Sequence, residues 1–259
     1  MIAANPRKYG NSPYSVVLVH GGPGAPGEMA PVAKVLSKKC GVLEPLQTQN
    51  SVDGQIEELK QQIKVNTKVP VVLVGWSWGA WLSFILATKN PDLLNKLILL
   101  DSGPFEAKYA KRIMPTRLAR LKGKENARAK ELLDMFQIET PDKNSFQEFG
   151  QLMSKADSYN PIPERREVIE VQFDIYQRVW KEAVELRKSG GLLEYGKLIN
   201  CPVVVIHGDY DPHSFEGVKE PLSKVLKECK FILLNNCGHK PWLERQAKDE
   251  FYEVLLKEL

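Results

Sequence analysis

Short, largely apolar runs punctuate the chain at residues 15–19, 41–46, 69–74, 96–100, 202–206 and 231–234, each bounded by turn-forming residues. Runs that are mostly apolar, rather than apolar at alternate positions, suit strands covered on both faces. Between them the period changes to that of a helix. Val52, Ile56, Leu59 and Ile63 share one face, as do Val218, Leu222, Val225 and Leu226. A helical stretch is expected near residues 29–38, and an amphipathic helix carrying Trp78, Trp81, Leu82, Ile85 and Leu86 follows the third run. The last helix is expected to start near Pro241 and to bury Phe251 and Leu255. Such alternation predicts an α/β fold: a mostly parallel sheet of about six strands with helices on both faces.

The alternation fails between Pro104 and Tyr195, where no strand is legible but several helical stretches are, including Val168, Val171, Ile175, Val179, Ala183 and Leu186. This segment enters after the fourth strand and leaves before the fifth. It is therefore expected over the carboxyl ends of the strands, where open α/β sheets bind ligands. The chain then divides into a core domain of residues 1–103 and 196–259 and a helical cap, or lid, of residues 104–195. Trp180, Tyr159, Phe136 and Met153 are candidates for pocket lining or for the cap's own core, and their helical spacing favours the core.

Composition narrows the class. A chain of 259 residues with 43% hydrophobic content can bury one large core, which excludes a disordered or fibrous protein. Residues 1–14 are polar and include Pro6 and Pro13, so they offer neither the apolar centre of a signal peptide nor a membrane span, and a cytoplasmic protein is expected. Cys40, Cys201, Cys229 and Cys237 show no paired spacing and read as free structural thiols. The net charge of +4 is mild, and its one local imbalance is Lys108 to Lys130, where nine Lys or Arg stand against Glu125. A solvated helical face explains that run most simply, with an anionic substrate or partner as the alternative. No zinc-finger spacing or aromatic-interleaved basic motif supports nucleic-acid binding.

The chemistry gathers at strand ends. Gly75-Trp76-Ser77-Trp78-Gly79 follows the third apolar run, so Ser77 sits where a buried strand turns sharply into a helix. Only small residues two places either side let the backbones pass, and Gly75 and Gly79 supply that room. His20-Gly21-Gly22-Pro23-Gly24 follows the first run, a loop whose backbone can approach a ligand closely. Gly208-Asp209-Tyr210-Asp211-Pro212 follows the fifth, and Asn235-Asn236-Cys237-Gly238-His239 the sixth. A serine hydroxyl is a poor nucleophile until an imidazole takes its proton, and the imidazole keeps the right tautomer when a carboxylate accepts its other N–H. Ser77, His239 and Asp211 fit those three roles.

With its serine, acid and histidine in that order, the chain resembles the α/β-hydrolase superfamily over nearly its whole length, from His20 to the helix after His239. The His20 to Gly24 loop, Trp78 after the serine, and Gly238-His239 near Trp242 are similar to the proline iminopeptidase branch and its esterase relatives. That branch usually carries a glycine where Trp76 stands. The resemblance implies that the backbone N–H of Gly22 faces the developing oxyanion, and the elbow geometry adds that of Trp78. The expected activity is cleavage of a small ester or related acyl bond through an acyl-enzyme on Ser77, with a small-molecule substrate, no cofactor and no metal, in a monomer or weak homo-oligomer. An iminopeptidase-like aminopeptidase and a ligand sensor with little turnover remain open alternatives.

Other residues compete for these roles. His20 reads as loop packing, His207 as a satisfied core histidine, and His213 as exposed or lining the site's mouth. Asp101 ends the fourth run, where a carboxylate can serve in some relatives, but Asp211 in Gly-x-x-Asp-Pro fits the family pattern better, and Asp209 lies too near its strand. Serine at position 77 argues against epoxide hydrolases and haloalkane dehalogenases, which need a carboxylate nucleophile. Gly22-Pro23-Gly24-Ala25-Pro26-Gly27 satisfies the dinucleotide-binding pattern, with Glu44 about twenty residues on. Pro23 and Pro26 remove two N–H groups from that loop, and Ser77, Asp211 and His239 would go unexplained. A phosphate-binding loop fails because Glu28 and Met29 follow Gly27.

Overall fold

Seven strands pair in the order β1-β3-β2-β4-β5-β6-β7 in a computed structural model that describes residues 5–138, 142–163 and 172–259. They are β1 (Arg7–Tyr9), β2 (Tyr14–Val19), β3 (Gly41–Glu44), β4 (Val71–Trp76), β5 (Leu94–Leu100), β6 (Val203–Gly208) and β7 (Cys229–Leu234). All neighbours run parallel except β1, which pairs antiparallel with β3. The strand beyond the expected six is β1. Its three residues, Arg-Lys-Tyr, carry no apolar run. It is held as an edge by its partner strand and by Glu44, whose buried carboxylate accepts from Arg7 Nε at 2.8 Å and from the Tyr9 hydroxyl at 2.9 Å. Glu44 is thus engaged from the sheet edge, which removes the ribose-binding acid that a dinucleotide site would require.

The helices flanking the sheet are α1 (Ala30–Leu36), α2 (Val52–Asn66) and α3 (Trp78–Lys89) in the first half. On one face α2 buries the expected stripe of Val52, Ile56, Leu59 and Ile63 against α3 and the sheet. The opposite face buries Met29, Val32, Ala33 and Leu36 at α1, together with Phe251 and Leu255 from the last helix. Two expectations need correction. Helix α3 is buried all round from Trp78 to Ala87, because a later helix and the sheet cover it from both sides, so it is not amphipathic. Pro241 opens only a 3₁₀ turn, Pro241–Leu243.

Between β5 and β6 lie α4 (Ala107–Ala110), α5 (Ile113–Arg120), α6 (Gly123–Ile138), α7 (Lys143–Ala156), α8 (Phe173–Lys188) and α9 (Gly191–Glu194). Leu121, Ala129, Met153 and Ala156 form a small core of their own, with Phe149 packed on it and Phe136 edge-on to Phe149 at 5.3 Å. Helix α8 docks on the main core through Val179 and Ala183, and Trp180 stacks on Trp81 at 6.0 Å and 4°. Val168 and Val171 lie outside the described residues. Backbone bonds fasten the segment to strand-end loops: Gln172 donates to the Gly24 carbonyl at 2.7 Å and His239 to the Asp157 carbonyl at 2.9 Å. After β6 come α10 (Glu216–Val225), which buries Val218 and Leu222, and α11 (Lys248–Glu258) after β7. Among the described residues no helix is long and apolar enough to cross a membrane.

Candidate active site

Parallel register brings the chemistry together. Val19 pairs with Gly75, Trp76 with Leu100, Leu100 with Ile206, and Gly208 with Leu234, so the residues leaving β2, β4, β5, β6 and β7 emerge at one sheet edge. Ser77 occupies the turn from β4 to α3 with φ 56° and ψ −116°, a conformation that L-residues adopt only when their surroundings enforce it. The enforcement is steric. A Cβ on Gly75 would lie 2.2 Å from the Gly79 carbonyl oxygen, and one on Gly79 would lie 2.2 Å from that of Val19. Both glycines of the motif are therefore required by close backbone approach.

Ser77 Oγ lies 3.0 Å from His239 Nε2, and His239 Nδ1 lies 2.6 Å from Asp211 Oδ2. Because a carboxylate only accepts, Nδ1–H donates to Asp211 and leaves the Nε2 lone pair to accept the Ser77 hydroxyl proton. Asp211 and His239 are buried and Ser77 is half-buried. Burial works against ionisation of Asp211, but the charges and hydrogen bonds of His239 and His213 outweigh it and hold the carboxyl well below its ordinary range.

Three groups fix His239 in place. The Trp76 indole N–H donates to the His239 carbonyl at 2.8 Å, and its ring packs 5.1 Å from the imidazole. Gly238 gives way to the Asp157 carbonyl, which would sit 2.2 Å from an added Cβ. The buried Glu244 carboxylate accepts N–H bonds from Gly238 at 3.1 Å, Tyr159 at 2.9 Å and Asn160 at 2.7 Å, stitching the histidine loop to the segment after α7. Asp157 in turn receives Arg117 through two bonds, of 2.7 and 2.6 Å. One member of the basic run is thus half-buried within an ion pair instead of joining the solvated face.

The glycine loop after β2 and the first turn of α3 both adjoin Ser77. Trp78 carries the first N–H of α3, which has no acceptor within its own helix. Gly22, with φ +46°, follows Gly21, whose absent Cβ would stand 3.0 Å from Ser77 Cβ and 2.6 Å from the Trp76 ring. Gln47 links the two sides: its side chain donates to the His20 carbonyl at 2.9 Å and accepts from the Trp78 indole at 3.0 Å. His20 is fully buried. Its Nδ1 donates to the Gly21 carbonyl and its Nε2 accepts from the Gln47 N–H, and burial lowers its pKa to about 4.

The competing residues take other places. Asp101 is buried at the end of β5 and accepts the Gly208 N–H at 2.8 Å; burial and the neighbouring Asp211 charge raise its pKa well above the ordinary range. Asp209 accepts the Cys237 N–H. His207 donates from Nε2 to the His213 carbonyl at 2.7 Å, as a core residue would. His213 neither stands exposed nor merely lines a mouth: its ring sits on Asp211 at 2.7 Å and 4.6 Å from the His239 ring. The sequence did hold a signal for it, since an aspartate commonly accepts the N–H two residues on, and that turn carries the His213 ring back to the same carboxylate. Donor atoms of Asp211, His213 and His239 lie within 4.8 Å of one another, as do those of Asp101, His207 and Asp211. Asp211 already accepts both imidazole Nδ1–H groups, so a metal would have to displace two hydrogen bonds.

Residues 16–254 match the alpha/beta hydrolase family. The chain belongs to that family. Over 204 residues it is 26% identical to the monoacylglycerol lipase ABHD6 of Homo sapiens, an alignment covering 76% of this chain and 58% of that protein. The chain thus matches less than two thirds of that relative's length. Among solved structures it is similar to VinJ, with a TM-score of 0.70 and 18% identity over 97% of this chain and 93% of that one. It is also similar to proline iminopeptidase of Mycobacterium smegmatis, with a TM-score of 0.64 and 16% identity over 97% and 92%. At these identities the likeness is one of fold. An alpha/beta hydrolase core with Ser77 at its strand-to-helix turn accounts for the strand order, the elbow and the insertion between β5 and β6.

Proposed function

We propose that the chain is a serine hydrolase that cleaves a small ester or related acyl bond. The observation that carries this reading is the continuous hydrogen-bonded path Ser77–His239–Asp211, at 3.0 and 2.6 Å. As Ser77 Oγ attacks the acyl carbon, its proton passes to His239 Nε2, and Asp211 holds the imidazolium through Nδ1–H. The carbonyl oxygen gains charge and meets the backbone N–H groups of Gly22 and Trp78. His239 then gives its proton to the leaving oxygen, and the acyl group stays on Ser77. Water, deprotonated by His239, attacks that acyl carbon and releases the acid and the free serine.

In this reading residues 104–195 form the cap and residues 1–103 with 196–259 the catalytic core. The Gln172–Gly24 and His239–Asp157 backbone bonds support it, since both tie the helical segment to loops at the reacting edge. Ester chemistry is favoured over an aminopeptidase by the same segment. A substrate ammonium is met best by an unengaged carboxylate, and among the described residues beside His239, Asp157 is taken by Arg117 and Glu244 by three backbone N–H groups. The name of the human relative, a monoacylglycerol lipase, points the same way.

A fluorophosphonate probe should label Ser77 alone, read by peptide mass mapping. Ser77→Ala should lower ester turnover on the order of a million-fold while preserving the fold. Retention of more than a few per cent of activity in that variant would exclude the mechanism, and a single slow turnover by the wild type would identify a sensor.

A further inference from the structure

The Asp211 carboxylate serves two imidazoles. Oδ2 accepts His239 Nδ1 at 2.6 Å, and Oδ1 accepts both the ring Nδ1 of His213 at 2.7 Å and the His213 backbone N–H at 2.9 Å. The two rings lie 4.6 Å apart at 35°. The turn is tied from behind, because His207 Nε2 donates to the His213 carbonyl. A third bond to Oδ1 fixes the plane of the carboxylate and so the direction in which Oδ2 faces His239. It also divides the carboxylate's charge between two donors, leaving less for the imidazolium that forms on His239 during attack.

The other charged and titratable groups around this carboxylate each have a contact of their own. Arg117 from α5 is neutralised by Asp157. Glu244 is bound to three backbone N–H groups, and Cys237 lies buried in the same loop. Asp101 from the end of β5 accepts the Gly208 N–H, and His207 from β6 is held on a carbonyl. His213 is the group whose side chain can be changed while Asp211 keeps its contact to His239.

We propose that His213 is a positioning residue: its Nδ1–H orients Asp211 and, by sharing its charge, sets how readily His239 takes the Ser77 proton. The role rests on the serine-hydrolase reading above and adds to it a residue that touches neither substrate nor the reacting atoms. Asparagine at 213 can present an amide N–H to the same oxygen, whereas leucine keeps only the backbone bond.

The test uses the full chain with an activated acyl ester, measuring kcat and KM of wild type, His213→Leu and His213→Asn between about pH 5 and 9. In His213→Leu, kcat should fall about tenfold with KM unchanged, as expected when an aligned group loses its support. The acid limb of kcat/KM should move up by about half a pH unit or more, because His239 then has sole claim on the Asp211 charge. His213→Asn should recover most of kcat. Proton NMR should show low-field signals from the two carboxylate-bound N–H groups, of His213 and His239, in the wild type and only that of His239 in His213→Leu, a readout that needs no turnover. Wild-type kinetics in the leucine variant, equal losses in both variants, or no low-field His213 signal in the wild type would overturn the role of His213. Failure of the wild type to label at Ser77 would instead remove the underlying mechanism, and this proposal with it.

Discussion

Asp101 and Asp211 share one desolvated site yet their carboxyls are pushed in opposite directions, and the difference lies in their donors. Asp211 receives two imidazoles, whereas Asp101 receives a single backbone N–H and faces the Asp211 charge. Burial and the Asp211 charge make Asp101 hold its proton to higher pH in the fold than in the unfolded chain, which helps stability in acid and costs stability once the unfolded chain ionises. The contribution is fully present below the ordinary carboxylate pKa and is lost as pH rises toward the folded-state value. Asparagine would keep an acceptor for Gly208 N–H, offer an amide to Asp211 and have no proton to defend. Asp101→Asn should raise Tm at pH 8 and have little effect at pH 4. Thermal unfolding at the two pH values checks this, and a variant less stable at pH 8 would show that Asp101 is ionised in the fold.

At the scale of elements, the histidine loop is tied to the segment after α7 as well as to its own strand and its neighbours. Pro161 bridges Glu244, Ile162 donates to the Leu243 carbonyl, and Glu244 gathers three N–H groups from both sides of the junction. Glu244→Ala would strip the acceptor from all three donors, of which the Gly238 N–H is buried and worth about 1–3 kcal/mol when left unpaired, so urea unfolding should show a loss of about 2 kcal/mol. An unchanged midpoint would mean that water replaces the carboxylate at no cost. This clamp explains what the sequence made legible and what it hid. Ser77, Asp211 and His239 were readable because each sits at the end of an apolar run, and the elbow's glycines are local demands of one turn. Glu244, Asp157 and the indole of Trp76 act through tertiary approach, which no periodicity records. The same limit explains β1, three polar residues made into a strand by a partner 35 positions away, and α3, whose outer face reads as exposed until α8 covers it.

Across the whole molecule, acid should loosen the fold and the reacting edge together. His20, His207 and His213 are all kept from protonation mainly by burial, His20 down to about 4. A histidine with a lowered folded-state pKa contributes stability that is present above its unfolded value, near 6.5, and lost as pH falls toward the folded value. Each such proton difference gives a slope of about 1.4 kcal/mol per pH unit, and Asp211, also lowered, adds to the loss at lower pH. Asp101 works in the opposite direction from about the ordinary carboxylate pKa upward, where the unfolded chain ionises and the folded carboxyl keeps its proton, and so offsets part of the histidine slope. His20 matters most for function, because its Gln47 link joins the glycine loop to Trp78 and so sets the two sides of the proposed oxyanion site. Glutamine at position 20 would replace an N–H donor and an acceptor without a titrating group. His20→Gln should therefore reduce the slope of unfolding free energy against pH, between about pH 6.5 and 4.5, by close to one proton's worth. Denaturant unfolding of both proteins at several pH values measures that slope directly. Parallel curves would mean that His20 is protonated in the fold and that the acid response arises at the other end of the sheet edge, around Asp211.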